Sequence, residues 1–181
     1  MRRSIALIGA VVGLVVSGCG SGSSSSSGVS ASSYVKAVCT AVRGWAQDIQ
    51  TKSGALNVAR ISNAKQGKTA IERFFDSAVT DTGSVVSQLE SAGTPSVTNG
   101  KQIATALVSS FNQIETALGK GKTAARALPT ASPTAFRNAG QALAGGVRQS
   151  LSGIGAGLSG LKSPELEKAA KSEPACKPLT G

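Results

Sequence analysis

The residues of this chain that could do chemistry are few. Histidine is absent, so a Ser-His-Asp triad is impossible despite abundant serine. Glu72 and Asp76 stand four apart with Arg73 between them and Asp81 beyond. Paired carboxyl groups about 5–10 Å apart serve glycoside hydrolysis when they flank a cleft. The same i, i+4 spacing is what any solvated helix face supplies, and no cleft can be inferred from it. Lys120-Gly121-Lys122-Thr123 has the tail of a phosphate loop but lacks the leading glycine and the preceding strand. The lysines from Lys65 to Lys68 come with no nucleophile signature. Three cysteines remain: Cys19, Cys39 and Cys176. A zinc site usually takes four protein ligands, often with histidine, so no metal and no cofactor are expected. Read this way, the chain is not an enzyme, and the cysteines carry its chemistry.

Cys19 closes a distinctive opening. Arg2 and Arg3 precede an apolar run from Ile5 to Val16, broken only by Gly9 and Gly13. Twelve residues are too few to span a ~30 Å hydrocarbon core, which needs about 20. A basic start, a short apolar run and small residues make a secretory signal peptide, expected over residues 1–18. Its ending, Val16-Ser17-Gly18-Cys19, resembles the bacterial lipobox. That resemblance implies that the Cys19 thiol receives a diacylglycerol and that cleavage leaves Cys19 as the new N-terminus. The expected location is the extracytoplasmic face of the cell membrane, held there by the lipid. Residues 19–31, rich in Ser and Gly, are expected to be a flexible linker with a reach of roughly 20 Å.

With Cys19 consumed by the anchor, Cys39 and Cys176 are left as a pair in an oxidising compartment, where a disulfide is the natural outcome. The chain left after cleavage has 163 residues, enough for one domain, expected over 32–181. It carries 17 basic and 9 acidic residues, a net +8. That excess favours anionic lipid headgroups or anionic wall polymers as neighbours. Nucleic acid is not an expected partner, because the basic residues are scattered singly and an exported protein meets little of it. A protein partner is not legible.

Helical spacing dominates the rest. Val35, Val38, Val42, Trp45 and Ile49 mark a helix over about 32–53, stopped near Gly54. Ile71, Phe74, Phe75, Ala78, Val79, Thr82, Val85, Val86 and Leu89 mark a second over 64–92, before Gly93. Ile103, Leu107, Phe111, Ile114, Leu118, Ala125 and Leu128 give a third over 100–128, ended by Pro129. Ser132-Pro133 starts a fourth whose stripe runs from Phe136 to Leu161, and Ser163-Pro164 starts a short fifth over 164–171. The expected fold is all-α: an up-down-up-down four-helix bundle with a short C-terminal helix. In that topology Cys39 and Cys176 fall at the same end, so one disulfide closes the bundle.

Cys39 with Trp45, Gly93-Thr94-Pro95 with Asn99-Gly100, Leu128-Pro129-Thr130, and Glu165-Leu166 with Pro174-Ala175-Cys176 form an ordered set over about 30–178. As a set it resembles a recurrent type of small actinobacterial envelope lipoprotein. The resemblance implies a helical fold and an envelope location, and no activity. One oddity is the glycine content of the fourth helix: Gly140, Gly145, Gly146, Gly153, Gly155, Gly157 and Gly160. Each interior glycine costs about 1 kcal/mol against alanine. Two readings account for them: close approach of neighbouring backbones, or a groove between helices suited to an acyl chain. The second makes a carrier of an apolar ligand the alternative to a binding or scaffolding protein. Trp45 and Tyr34 are expected to anchor packing rather than to form a ligand cage.

Overall fold

The computed structural model describes residues 28–56, 63–154 and 161–179. The signal peptide, Cys19 and most of the expected linker lie outside the described residues, as do Gly155, Gly157 and Gly160. The described chain is all-helical: α1 (Ala31–Ala55), α2 (Ala64–Ser91), α3 (Gly100–Arg126), α4 (Pro133–Leu151) and α5 (Pro164–Ser172), then a 3-10 turn at Lys177–Leu179.

Short polar side chains start the helices. Ser30 Oγ accepts the Ser33 N–H, Asn63 Oδ1 accepts those of Lys65 and Gln66, Ser132 that of Ala135, and Ser163 that of Leu166. Each satisfies a donor that the first helical turn leaves unpaired. Pro133 and Pro164 occupy first-turn positions, where a missing N–H costs nothing. The turn from α2 to α3 depends on special backbone. Gly93 has φ +75° and donates to the Glu90 carbonyl, while Asn99 has φ 60°. A side chain at Gly100 would collide with the Pro95 carbonyl oxygen. The Gly93-Thr94-Pro95 and Asn99-Gly100 pattern therefore has a local geometric cause.

α2 and α3 form the central antiparallel pair, with α1 packed on α2, α4 on α3 and α5 back on α1. Two cores lie along this pair. In one, Ile71, Phe75 and Ala78 of α2 meet Leu118 and Ala125 of α3, Leu128, and Phe136 of α4. In the other, Ala41 of α1, Val85, Val86 and Leu89 of α2 and Phe111 of α3 close around Trp45. Thr82, inside the apolar stripe of α2, is fully buried without cost. Its hydroxyl accepts the Trp45 Nε1–H at 2.9 Å and donates to the Ala78 carbonyl at 2.7 Å. Trp45 also meets Phe111 edge to face, with centroids 5.3 Å apart.

Two expectations are revised. The fourth helix ends at Leu151 rather than running through Leu161. Ser152 and Ile154 donate back to Gln149 and Leu151, an i→i−3 tightening just before Gly153. Gly153 disfavours helix, and the part of the expected stripe over residues 155–160 lies outside the described residues. At the other end, Gly28-Val29-Ser30, placed in the linker by sequence, belong to the fold. Val29 donates to the Thr94 carbonyl at 2.9 Å and accepts from the Ser96 N–H at 2.8 Å.

Candidate functional site

Cys39 sits two turns into α1, and Cys176 follows α5 among Glu173, Ala175 and the 3-10 turn. Their sulfurs are bonded, with Cα atoms 5.0 Å apart, across 137 residues of chain. Cys176 is 1% exposed, with α5 folded back over α1. The bond therefore fastens the C-terminal segment to the first helix, as the cysteine count anticipates. Tyr34, one turn earlier in α1, is buried, and burial pushes its hydroxyl pKa up. Both Tyr34 and Trp45 are packing residues here.

Of the carboxylates that sequence reading weighed for catalysis, Asp76 and Asp81 are drawn into cross-helix contacts and Glu72 into a pair within α2. Asp76 Oδ1 lies 2.6 Å from Lys122 Nζ and 4.0 Å from Arg126 Nη2, joining α2 to α3. Asp81 pairs with Lys52 of α1 and accepts from Ser77. Glu72 faces Lys68 within α2 at 4.0 Å, and Lys68 Nζ donates to the Arg126 carbonyl at the end of α3. The hydrogen bond from Lys122 holds the Asp76 carboxyl below its usual range. A general acid needs the opposite shift, so this arrangement suits helix fastening and not proton donation at neutral pH. Among the described residues no three His, Cys, Asp or Glu side chains gather as a metal would require.

Lys120-Gly121-Lys122-Thr123 lies inside α3, with no loop to cradle a phosphate. Its glycine matters for another reason. A Cβ at Gly121 would stand 2.5 Å from Phe75 Cε1 and 3.0 Å from Val147 Cγ2. Here side chains of α2 and α4 close over the α3 backbone, and nothing in the local sequence marks it. By contrast, Cβ atoms at Gly140, Gly145, Gly146 and Gly153 would meet nothing within 4 Å. Close backbone approach does not explain the α4 glycines that are described. Gly146 instead edges a groove of about 270 Å³ between α3 and α4, floored by Gly121, Ala124, Leu143 and Val147. A larger depression of about 600 Å³ runs along Val108, Asn112, Thr116 and Lys120 to Ser150 and Ile154. Both are open to solvent.

α4 is the least embedded of the long helices. Phe136 is its one buried side chain; Ala139, Leu143 and Val147 are half-buried. On its outer side Arg137, Gln141, Ala144 and Arg148, spaced 4, 3 and 4, form an exposed stripe. Among the described residues no helix is long and apolar enough to cross a membrane. Comparison with known proteins finds no matching family model, no matching curated protein and no matching solved structure.

Proposed function

We propose that this protein is a lipid-anchored component of the cell envelope that binds or scaffolds a partner, without catalysing a reaction. The observation that carries the proposal is cysteine parity. The Cys39–Cys176 bond accounts for two of three cysteines and fits an oxidising compartment. Cys19 is left over at the end of a basic, apolar, small-residue leader. The lipobox-like ending gives that cysteine a purpose, and the resemblance to small actinobacterial envelope lipoproteins agrees with it. Neighbours with anionic chemistry, lipid headgroups or wall polymers, suit the charge of the chain after cleavage. The carrier alternative needs an enclosed apolar chamber, and the open grooves beside α4 do not favour it.

Cys19→Ala tests the anchor. Cells expressing it and fed radiolabelled palmitate should yield unlabelled protein that no longer fractionates with membranes, while the parent chain is labelled. Label retained in the Cys19→Ala chain would overturn the proposal.

A further inference from the structure

Charge is distributed unevenly over the fold. The described part of residues 28–92 holds six basic and five acidic residues. Residues 100–154 hold six basic residues against Glu115 alone; two of the six, Lys122 and Arg126, face Asp76 of α2, which leaves Arg137 and Arg148 of α4 among the rest. Between Glu115 and Glu165 there are 49 consecutive residues without a carboxylate, and they include all of α4. Within that stretch the outward stripe Arg137-Gln141-Ala144-Arg148 places two guanidinium groups on one face, eleven residues and so about 16 Å apart. Phe136, Leu143 and Val147 of α4 point away from this stripe, into the core with Phe75 and Leu118.

We propose that this face of α4 rests on an anionic lipid surface. The inference builds on the proposed anchor, because a short tether holds the domain at a high effective concentration near one particular surface. Guanidinium groups suit lipid phosphates, which they meet with two hydrogen bonds at once. With no large apolar residue in the stripe, the helix adheres at headgroup level and does not insert. The docked domain presents α1, α2 and α5 outward, which orients any partner-binding surface away from the bilayer.

The test uses the unanchored chain from Gly20 onward, which retains every described helix, both cores and the disulfide. It is sedimented with phosphatidylcholine vesicles, with and without phosphatidylglycerol, at low and high salt. Binding should require phosphatidylglycerol and fade as salt shortens the Debye length. At about fivefold per charge, Arg137→Gln with Arg148→Gln should weaken it roughly thirtyfold. Lys36→Gln with Arg73→Gln removes the same charge from exposed positions on α1 and α2 and should weaken it far less. All four side chains are exposed, so both variants should melt with the parent. Equal losses in the two variants would reduce the effect to net charge and overturn the proposal. So would binding to a soluble polyphosphate chain without binding to vesicles. Because acylation of Cys19 is read separately, the anchor and the docking face can fail independently.

Discussion

Replacing Phe136 by alanine should detach α4 while leaving the rest of the fold in place. Phe136 is 2% exposed and lies against Phe75, Leu118 and Leu128. Burying a phenylalanine is worth about 1.5–3 kcal/mol, and the half-buried Leu143 and Val147 add about 1 kcal/mol each. Against this, the interior glycines Gly140, Gly145 and Gly146 cost α4 about 1 kcal/mol each relative to alanine. Docking of α4 is thus favourable by only a few kcal/mol, while Phe→Ala in a core removes about 3–5. α1, α2 and α3 keep the Trp45–Thr82–Phe111 cluster and the disulfide, none of which involves α4. Native-state hydrogen exchange on Phe136→Ala should show the amides of residues 137–151 losing protection as a block. Those of α2 and α3 around Val85 and Phe111 should still open only with global unfolding. Exchange of α4 amides at the same free energy as those α2 and α3 amides would refute the reasoning. It would mean that α4 is part of the cooperative core despite its shallow seat.

The converse change should stabilise: Gly145→Ala and Gly146→Ala face open space, so each should raise the thermal midpoint by the equivalent of up to about 1 kcal/mol, and a fall in either would contradict the open geometry. Asp76 gives a pH prediction. Its carboxyl is held below the ordinary value of 3.8 by Lys122, so its contribution to stability is complete above that value and is lost as pH falls through the lower folded value. Denaturation midpoints of the parent and Asp76→Asn should therefore differ by a constant amount at mildly acidic to neutral pH and converge in stronger acid. A constant difference at every pH would remove the ion pair from the explanation.

Much of the fold is written locally. Ser132 and Ser163 announce helix starts because capping depends on a residue and its next three neighbours. Ser30 and Asn63 cap α1 and α2 in the same way but do not stand out as starts in the sequence. The α2 stripe, Thr82 included, marks the buried face because periodicity is local as well. What escaped notice depends on distant partners. Gly121 reads as an ordinary helix-weakening glycine until Phe75 and Val147 are placed beside it. Val29 pairs with residues more than sixty positions away, with no strand pattern to signal it. The stripe of α4 looks as strong as that of α3, yet burial depth is set by how many helices surround a face, and α4 has chiefly α3. Of the candidate site, the pairing of Cys39 with Cys176 followed from counting cysteines. The docking face did not, since scattered charges gather into a patch only when the helix carrying them is known to face outward.

The two fastenings near the start of the chain also define a load path. Tension arriving from the N-terminal side first meets the pair of backbone hydrogen bonds that joins Val29 to Thr94 and Ser96. If these yield, α1 can unwind only as far as Cys39, whose covalent bond to Cys176 bypasses the 136 residues between them. The slack is then residues 28–38, at most about 35–40 Å when fully extended. Once α1 has given up Tyr34, Val35 and Val38, a pull between the two ends of the chain is carried by that bond and bypasses residues 40–175. The domain behaves mechanically as a short elastic leader on a closed ring, able to give way at its attachment while the body stays folded.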